Sequence, residues 1–182
     1  MPLTISDKMD ADMNSKNTKV WFTADTHFGH GNLINLAGRP FSSLVEMDET
    51  LISNWNSVVG KDDVVIHLGD FALMNHLDYI SRLNGYITFV RGNHDDFSLI
   101  QALDVRMNGE LVTCVHNPDF LINNHLSGIY LVGHIHHKWK VMRNAGQLLI
   151  NVGVDVWDFK PVSVSQIVEL IDVDLRDGEL MK

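Results

Sequence analysis

Aspartate, histidine and asparagine recur in five short clusters along the chain: Asp25-Thr26-His27, Gly69-Asp70, Gly92-Asn93-His94-Asp95, His116 and Gly133-His134-Ile135-His136. Carboxylate, imidazole and amide groups are ligands for divalent cations, and these clusters hold enough of them for two ions. Two cations about 3.5–4 Å apart can clamp the attacking and leaving oxygens of an in-line displacement at phosphorus. Ions that close need an anionic bridge, and a carboxylate such as Asp70 can give one oxygen to each. Asp25-x-His27 suits one ion. A neutral amide such as Asn93, with imidazoles, suits the other without overcharging the pocket. Water held between two cations ionises near neutral pH. A histidine left outside the metal shell can then protonate the departing alkoxide. This chemistry is that of a dinuclear metallohydrolase.

The elements that position these clusters follow from apolar periodicity. Val20-Trp21-Phe22-Thr23-Ala24 reads as a buried strand running into Asp25. Leu44, Met47, Leu51, Trp55 and Val58 recur at helical spacing over 43–59, with Ser43 and Glu46 as a capping box and Gly60 as the stop. Val64–Leu68 is a second strand, delivering Asp70. Leu73, Leu77, Ile80 and Leu83 predict a helix ending at Asn84-Gly85. Ile87–Val90 is a third strand, ending at Asn93 and His94. This βαβα order implies a largely parallel sheet. Strands at 111–115, 129–132 and 147–150 follow with little helix between them, so a second sheet with mixed or antiparallel pairing is expected. A last helix begins after Pro161, with Ser163 as cap and Gln166 three residues on. Two facing sheets with helices outside would line the strand ends along one rim, where open α/β sheets bind ligands.

Bulk properties set the class. The 182 residues suffice for one domain with a real core, and 45% apolar with 20% charged residues is ordinary for a globular protein. A net charge of −9 argues against non-specific nucleic-acid or membrane-surface binding. The single cysteine, Cys114, excludes an internal disulfide and suits a reducing, cytoplasmic setting. Residues 1–17 are polar, without the apolar stretch of a signal peptide, and are expected to be a disordered or loosely attached tail before a single domain over 18–182.

Taken in order, the five clusters resemble the calcineurin-like metallophosphoesterase superfamily over roughly residues 19–165. The stretches Phe22–His30, Arg39-Pro40-Phe41, Asn54-Trp55-Asn56 and Asn151–Asp155 are similar to its compact bacterial and phage phosphoesterases. The resemblance implies a four-layer α/β/β/α sandwich of two mixed sheets, metallo-dependent-phosphatase-like. It implies that Asp25, His27 and His136 bind the first metal, that Asp70 bridges, and that Asn93, His116 and His134 bind the second. His94 becomes the acid that protonates the leaving group. The metals implied are two divalent ions, manganese first, with iron, zinc or nickel as alternatives. The expected activity is that of a metal-dependent phosphoric ester hydrolase, acting on a phosphomonoester or phosphodiester by attack of a metal-bridged hydroxide. The substrate would be a small phosphate ester or nucleotide.

Other residues receive smaller roles. His30, Arg39 and Arg91 are substrate-binding candidates, although Arg91 can equally pair with Asp95 or Asp96, and Asp95 fits a capping or orienting role. His67 and Cys114 sit inside apolar strands as core groups. Loops around 28–41, 71–78, 95–109 and 117–127 would set specificity. Three rival readings remain open. A Ser/Thr protein phosphatase would carry Asp-Arg-Gly soon after Gly-Asp and Glu after Asn-His, where this chain has Phe71-Ala72-Leu73-Met74 and Asp95. A recombination-type nuclease needs DNA-binding and dimerisation regions for which this acidic chain has little room. A metal-binding scaffold of the same fold would typically lack His94. Oligomeric state is undetermined, with a dimer through a sheet edge or helix face as one option.

Overall fold

The computed structural model describes residues 18–144 and 146–180, the last six as backbone only, so the tail expected over 1–17 lies outside the described residues. Two sheets are present. The first has the order β3-β2-β1-β9, from β1 (Val20–Thr23), β2 (Val64–His67), β3 (Tyr86–Phe89) and β9 (Val162–Ser163). β1, β2 and β3 run parallel and β9 is antiparallel to β1. The second sheet has the order β4-β5-β6-β8-β7, from β4 (Ala102–Met107), β5 (Glu110–Val115), β6 (Gly128–Val132), β7 (Val141–Asn144) and β8 (Gln147–Asn151). β5, β6 and β8 are parallel, with antiparallel β4 and β7 on the edges. Both sheets are therefore mixed, as expected.

The sheets meet through one cluster of buried side chains. Phe22, Ile66 and Leu68 come from the first sheet; Val112, Leu131 and Ile150 come from the second. Each is at most 2% exposed, and each such burial is worth roughly 1.5–3 kcal/mol. The outer face of the first sheet is covered by α2 (Leu44–Val58), whose Trp55 packs with Trp21 and Val65. The outer face of the second carries the short α4 (Asp119–Asn123), whose Leu121 packs on Tyr130 and Leu149. These are the four layers. The C-terminal helix α5 (Val164–Leu180) adds Ile167 and Ile171 to the inter-sheet cluster. Among the described residues, no helix is long and apolar enough to cross a membrane.

Local signals hold with informative exceptions. Ser163 and Gln166 form the full reciprocal box at α5: the Ser163 hydroxyl accepts from Gln166 N–H, and the Gln166 side chain accepts from Ser163 N–H. At α2 the box is shifted. Ser43 Oγ accepts from Glu46 N–H at 3.2 Å, but the Glu46 carboxylate turns to Ser42. The helix expected through Leu73–Leu83 shrinks to α3 (His76–Ile80). Of the four residues at helical spacing, Leu73 and Leu77 face solvent at 47% and 69% exposure, and only Ile80 and Leu83 join a core cluster. A one-turn helix, α1 (Leu33–Leu36), lies in the loop after β1. β4 replaces part of the loop expected over 95–109; its alternating burial is that of an edge strand with one face on the core.

Candidate dinuclear metal centre

Every cluster stands at the carboxyl end of a parallel strand. Asp25 follows β1, Asp70 follows β2, Asn93 and His94 follow β3, His116 follows β5 and His134 follows β6. Tight backbone turns bring the side chains inward. Asp25, His27, Asp70, His134 and His136 all have positive φ, between 50° and 70°. Left-handed backbone in a residue other than glycine costs on the order of 1–3 kcal/mol, and such outliers gather at functional sites. At Asp25 and His27 the strain is held by hydrogen bonds that extend the β1–β2 pairing beyond the strands, from Asp25 N to Gly69 O and from His27 N to Asp70 O, each 3.0 Å.

The ligating atoms fall into two groups. Asp25, His27 and His136 form one, and Asp70, His116 and His134 the other; within each group the atoms lie within 4.8 Å of one another. Asp70 joins the two, because its Oδ2 is 3.5 Å from His27 Nε2 and 3.4 Å from His116 Nε2. His134 and His136 divide between the groups. β6 ends at Val132, so both residues lie beyond the strand in left-handed backbone. Asn93 is exposed in the loop after β3 and lines a cavity together with His116.

The donor chemistry fits cations. His116 Nδ1 meets the Leu68 carbonyl at 2.7 Å, so Nδ1 carries the proton and Nε2 presents its lone pair. Nε2 of His116 and Nε2 of His27 are buried with no hydrogen-bond partner, and both face the Asp70 carboxylate. With both imidazoles neutral, nitrogens so placed against a carboxylate leave a buried polar gap that a cation would fill. Burial pushes the Asp25 carboxyl up to about 6, against the pull of His116 and His136, so its charge lacks compensation. Burial lowers His27 to about 3. Burial would also raise Asp70, but His116, the His94 N–H and His27 outweigh it and hold this carboxyl below the usual carboxylate range.

Two supporting carboxylates tie the loops together. Asp95, 2% exposed, accepts from the backbone N–H groups of Asp70 (2.7 Å), Gly92 (2.9 Å) and Phe71 (3.1 Å). It orients the loop rather than ligating. Gly92 is required beside it, since a Cβ there would stand 2.2 Å from Asp70 N. Asp155 accepts from His136 Nδ1 at 2.9 Å, fixing the tautomer that turns Nε2 inward. Arg39 grips the same carboxylate through Nε (2.8 Å) and Nη2 (3.0 Å) and donates to the carbonyls of Thr26 and Asp25.

Arg39 therefore corrects one expectation. It is 5% exposed and its guanidinium is fully engaged in the protein, so it braces the metal loops instead of touching substrate. Arg91 is exposed and donates Nε–H to the Asp95 carbonyl, leaving its terminal amino groups toward the cavity. His30 and His94 sit at the mouth, their ring centres 5.5 and 5.6 Å from that of His27. The role of Asp155 was missed from sequence; the visible signal was a carboxylate within the apolar run Val152–Val156. His67 and Thr26 form a buried pair beneath the site, 3.0 Å apart, and Cys114 is a core residue.

Fold and site together define a two-sheet α/β protein with two groups of residues that could each hold a metal ion at its strand ends. The family model for the calcineurin-like phosphoesterase superfamily domain matches residues 19–169, and the chain belongs to that superfamily. Uncharacterized protein MJ1445 of Methanocaldococcus jannaschii is 39% identical over 163 residues, covering 85% of this chain and 92% of that one. Gene 66 protein of Mycobacterium phage L5 is 27% identical, covering 85% of this chain and 95% of its own. The crystal structure of AQ665 from Aquifex aeolicus, a protein of unknown function, shares the fold at a TM-score of 0.66 and 23% identity, over 85% of this chain and all of that one.

Proposed function

We propose that this chain is a dinuclear metal-dependent phosphoesterase that hydrolyses a small phosphomonoester or phosphodiester in the cytoplasm. The observation that carries the reading is the position of Asp70 Oδ2, within 3.5 Å of an unpartnered imidazole nitrogen from each ligand group. Asp25, His27 and His136 would hold one ion, Asn93, His116 and His134 the other, with Asp70 between them. Two divalent ions in this oxygen and nitrogen set, manganese first and iron, zinc or nickel as alternatives, supply Lewis-acid charge and an acidified water.

The rest is done by the chain. Asp155 and the Leu68 carbonyl hold His136 and His116 with Nε2 toward the centre. His94 is outside both ligand groups, but its backbone N–H donates to Asp70 Oδ1 at 2.9 Å, which ties the loop that carries its ring to the bridging carboxylate. It gives a proton to the leaving alkoxide. His30, with its ring centre 6.1 Å from that of His94, contacts the phosphoryl oxygens.

The test is His94→Ala, with metal content measured beside turnover of p-nitrophenyl phosphate and bis-p-nitrophenyl phosphate. Full metal loading with turnover reduced roughly 10²–10⁴-fold supports the role. Unchanged turnover refutes it, and a metal-loaded wild type inert on both esters refutes the enzyme reading.

A further inference from the structure

A cavity of 490 Å³ opens beside the second ligand group, sharing Asn93 and His116 with it. That volume lies within the range of small-molecule sites. Its floor is apolar, formed by Val115 and by Leu121, which is 6% exposed. Phe120, in α4, lines the cavity and is 68% exposed. Besides His116, the polar side chains of the lining are amides and one guanidinium. The Asn117 oxygen accepts from Asp119 N–H at 2.9 Å, which leaves its amino group for a ligand. Gln101 is exposed on the lining and makes no side-chain hydrogen bond among the described residues. Arg91 is the cation of the lining, with terminal nitrogens spare.

An exposed aromatic face, an apolar floor and amides with both donors and acceptors match a planar heterocycle that carries a hydrogen-bonding edge. A bare sugar phosphate would leave Phe120 and the floor wet. An acyl chain would leave the amides unpaired. We propose that this cavity is a nucleobase subsite, so that the substrate of the phosphoesterase proposed above, on which this inference rests, is a nucleoside phosphate. The base stacks on Phe120, Gln101 and Asn117 bond its edge, and Arg91 steadies the phosphate beside Asn93. A mononucleotide is favoured over a polynucleotide, because the chain carries a net charge of −9 and the cavity offers one cation.

The experiment is calorimetric titration of the manganese-loaded full chain with phosphonate analogues of adenosine 5′-monophosphate and ribose 5-phosphate, which bind without turnover, and with hexa-adenylate. Stacking of one base predicts that the adenosine compound binds roughly 5- to 150-fold more tightly than the ribose compound. Phe120→Ala should bring that ratio to within twofold of one, and Phe120→Trp should keep it. Because the ring is exposed, both variants should melt with the wild type, which shows that a lost preference is not lost folding. A wild-type ratio near one, or a ratio that survives Phe120→Ala, overturns the subsite. Hexa-adenylate binding more than tenfold tighter than the mononucleotide analogue overturns the mononucleotide assignment. A protein that shows the base preference yet hydrolyses no phosphate ester supports the subsite while refuting the phosphoesterase reading.

Discussion

Asp95 gives the most quantitative prediction, because one buried carboxylate serves three backbone donors. Its Oδ2 takes the N–H groups of Asp70 and Gly92, and its Oδ1 takes that of Phe71. Hydrogen bonds to a charged acceptor are worth roughly 1.5–3 kcal/mol each, and a buried donor left unpaired costs about 1–3 kcal/mol. The three bonds share one anion and water can reach part of the gap, so the sum is discounted. Asp95→Ala should destabilise the metal-free protein by about 3–5 kcal/mol. For a chain of this size that is a fall in Tm of roughly 6–20 °C. Asp95→Asn retains an oxygen for the Asp70 and Gly92 donors but sets an amino group against Phe71 N–H, so about 1–3 kcal/mol is expected.

Urea unfolding followed by fluorescence of the buried Trp21 and Trp55 measures both variants, with an unchanged m-value as the check that only stability moved. The same loop carries Asp70, so manganese should rescue Asp95→Ala less than it rescues the wild type. An Asp95→Ala protein within about 1 kcal/mol of wild type would remove the claim that these bonds hold the loop. Equal damage from Asn and Ala would move the cause from hydrogen-bond count to charge.

Three further outcomes follow from the same geometry. Gly92→Ala places a Cβ 2.3 Å from Asp70 Oδ1, so the folded protein should lose metal from both positions, read by elemental analysis after gel filtration. Asp155→Asn frees His136 to rotate and leaves Arg39 unpaired; affinity at one of two metal sites should fall about 10–100-fold, seen as a split in a titration that is otherwise uniform. His67, lowered to about 3 by burial, refuses the proton that the unfolded chain accepts near 6.5. The unfolded state therefore binds more protons between those values, and stability falls as pH falls from about 6.5 toward 3. Asp25, raised to about 6, works in the opposite direction between 6 and 3.8. Replacing His67 with Gln should remove about 1 kcal/mol per pH unit from the acid-side slope of metal-free stability between pH 6 and 5, with Asp25 unaltered. A slope unchanged by the substitution would show that His67 titrates normally.

Strand-forming runs ending in Asp25, Asp70, Asn93, His116 and His134 were legible because a strand announces itself locally, by β-branched and aromatic residues with a polar stop. That was enough for the two-sheet class and for naming the strand ends that carry the candidate ligands. Periodicity misled where burial was absent: Leu73 and Leu77 keep helical spacing but face water, so the helix they imply is one short turn-bounded segment. It was silent for β4, an edge strand whose polar alternation reads as loop. The left-handed φ values at Asp25, His27, Asp70 and His134 were not read from the sequence, since the N–H of each bonds to a loop distant in the chain.

Residue type and order alone thus named the candidate ligands. Their working geometry was decided by long-range contacts. Arg39 and Asp155, 116 residues apart, meet only when the loops after β1 and β8 close on each other, and that meeting turns an apparent phosphate ligand into a brace for His136. Asp95 likewise takes its orienting role because three N–H groups from two loops converge on it. A side chain's identity states what it can bind. Its nearest unsatisfied partner in the folded protein determines what it does bind.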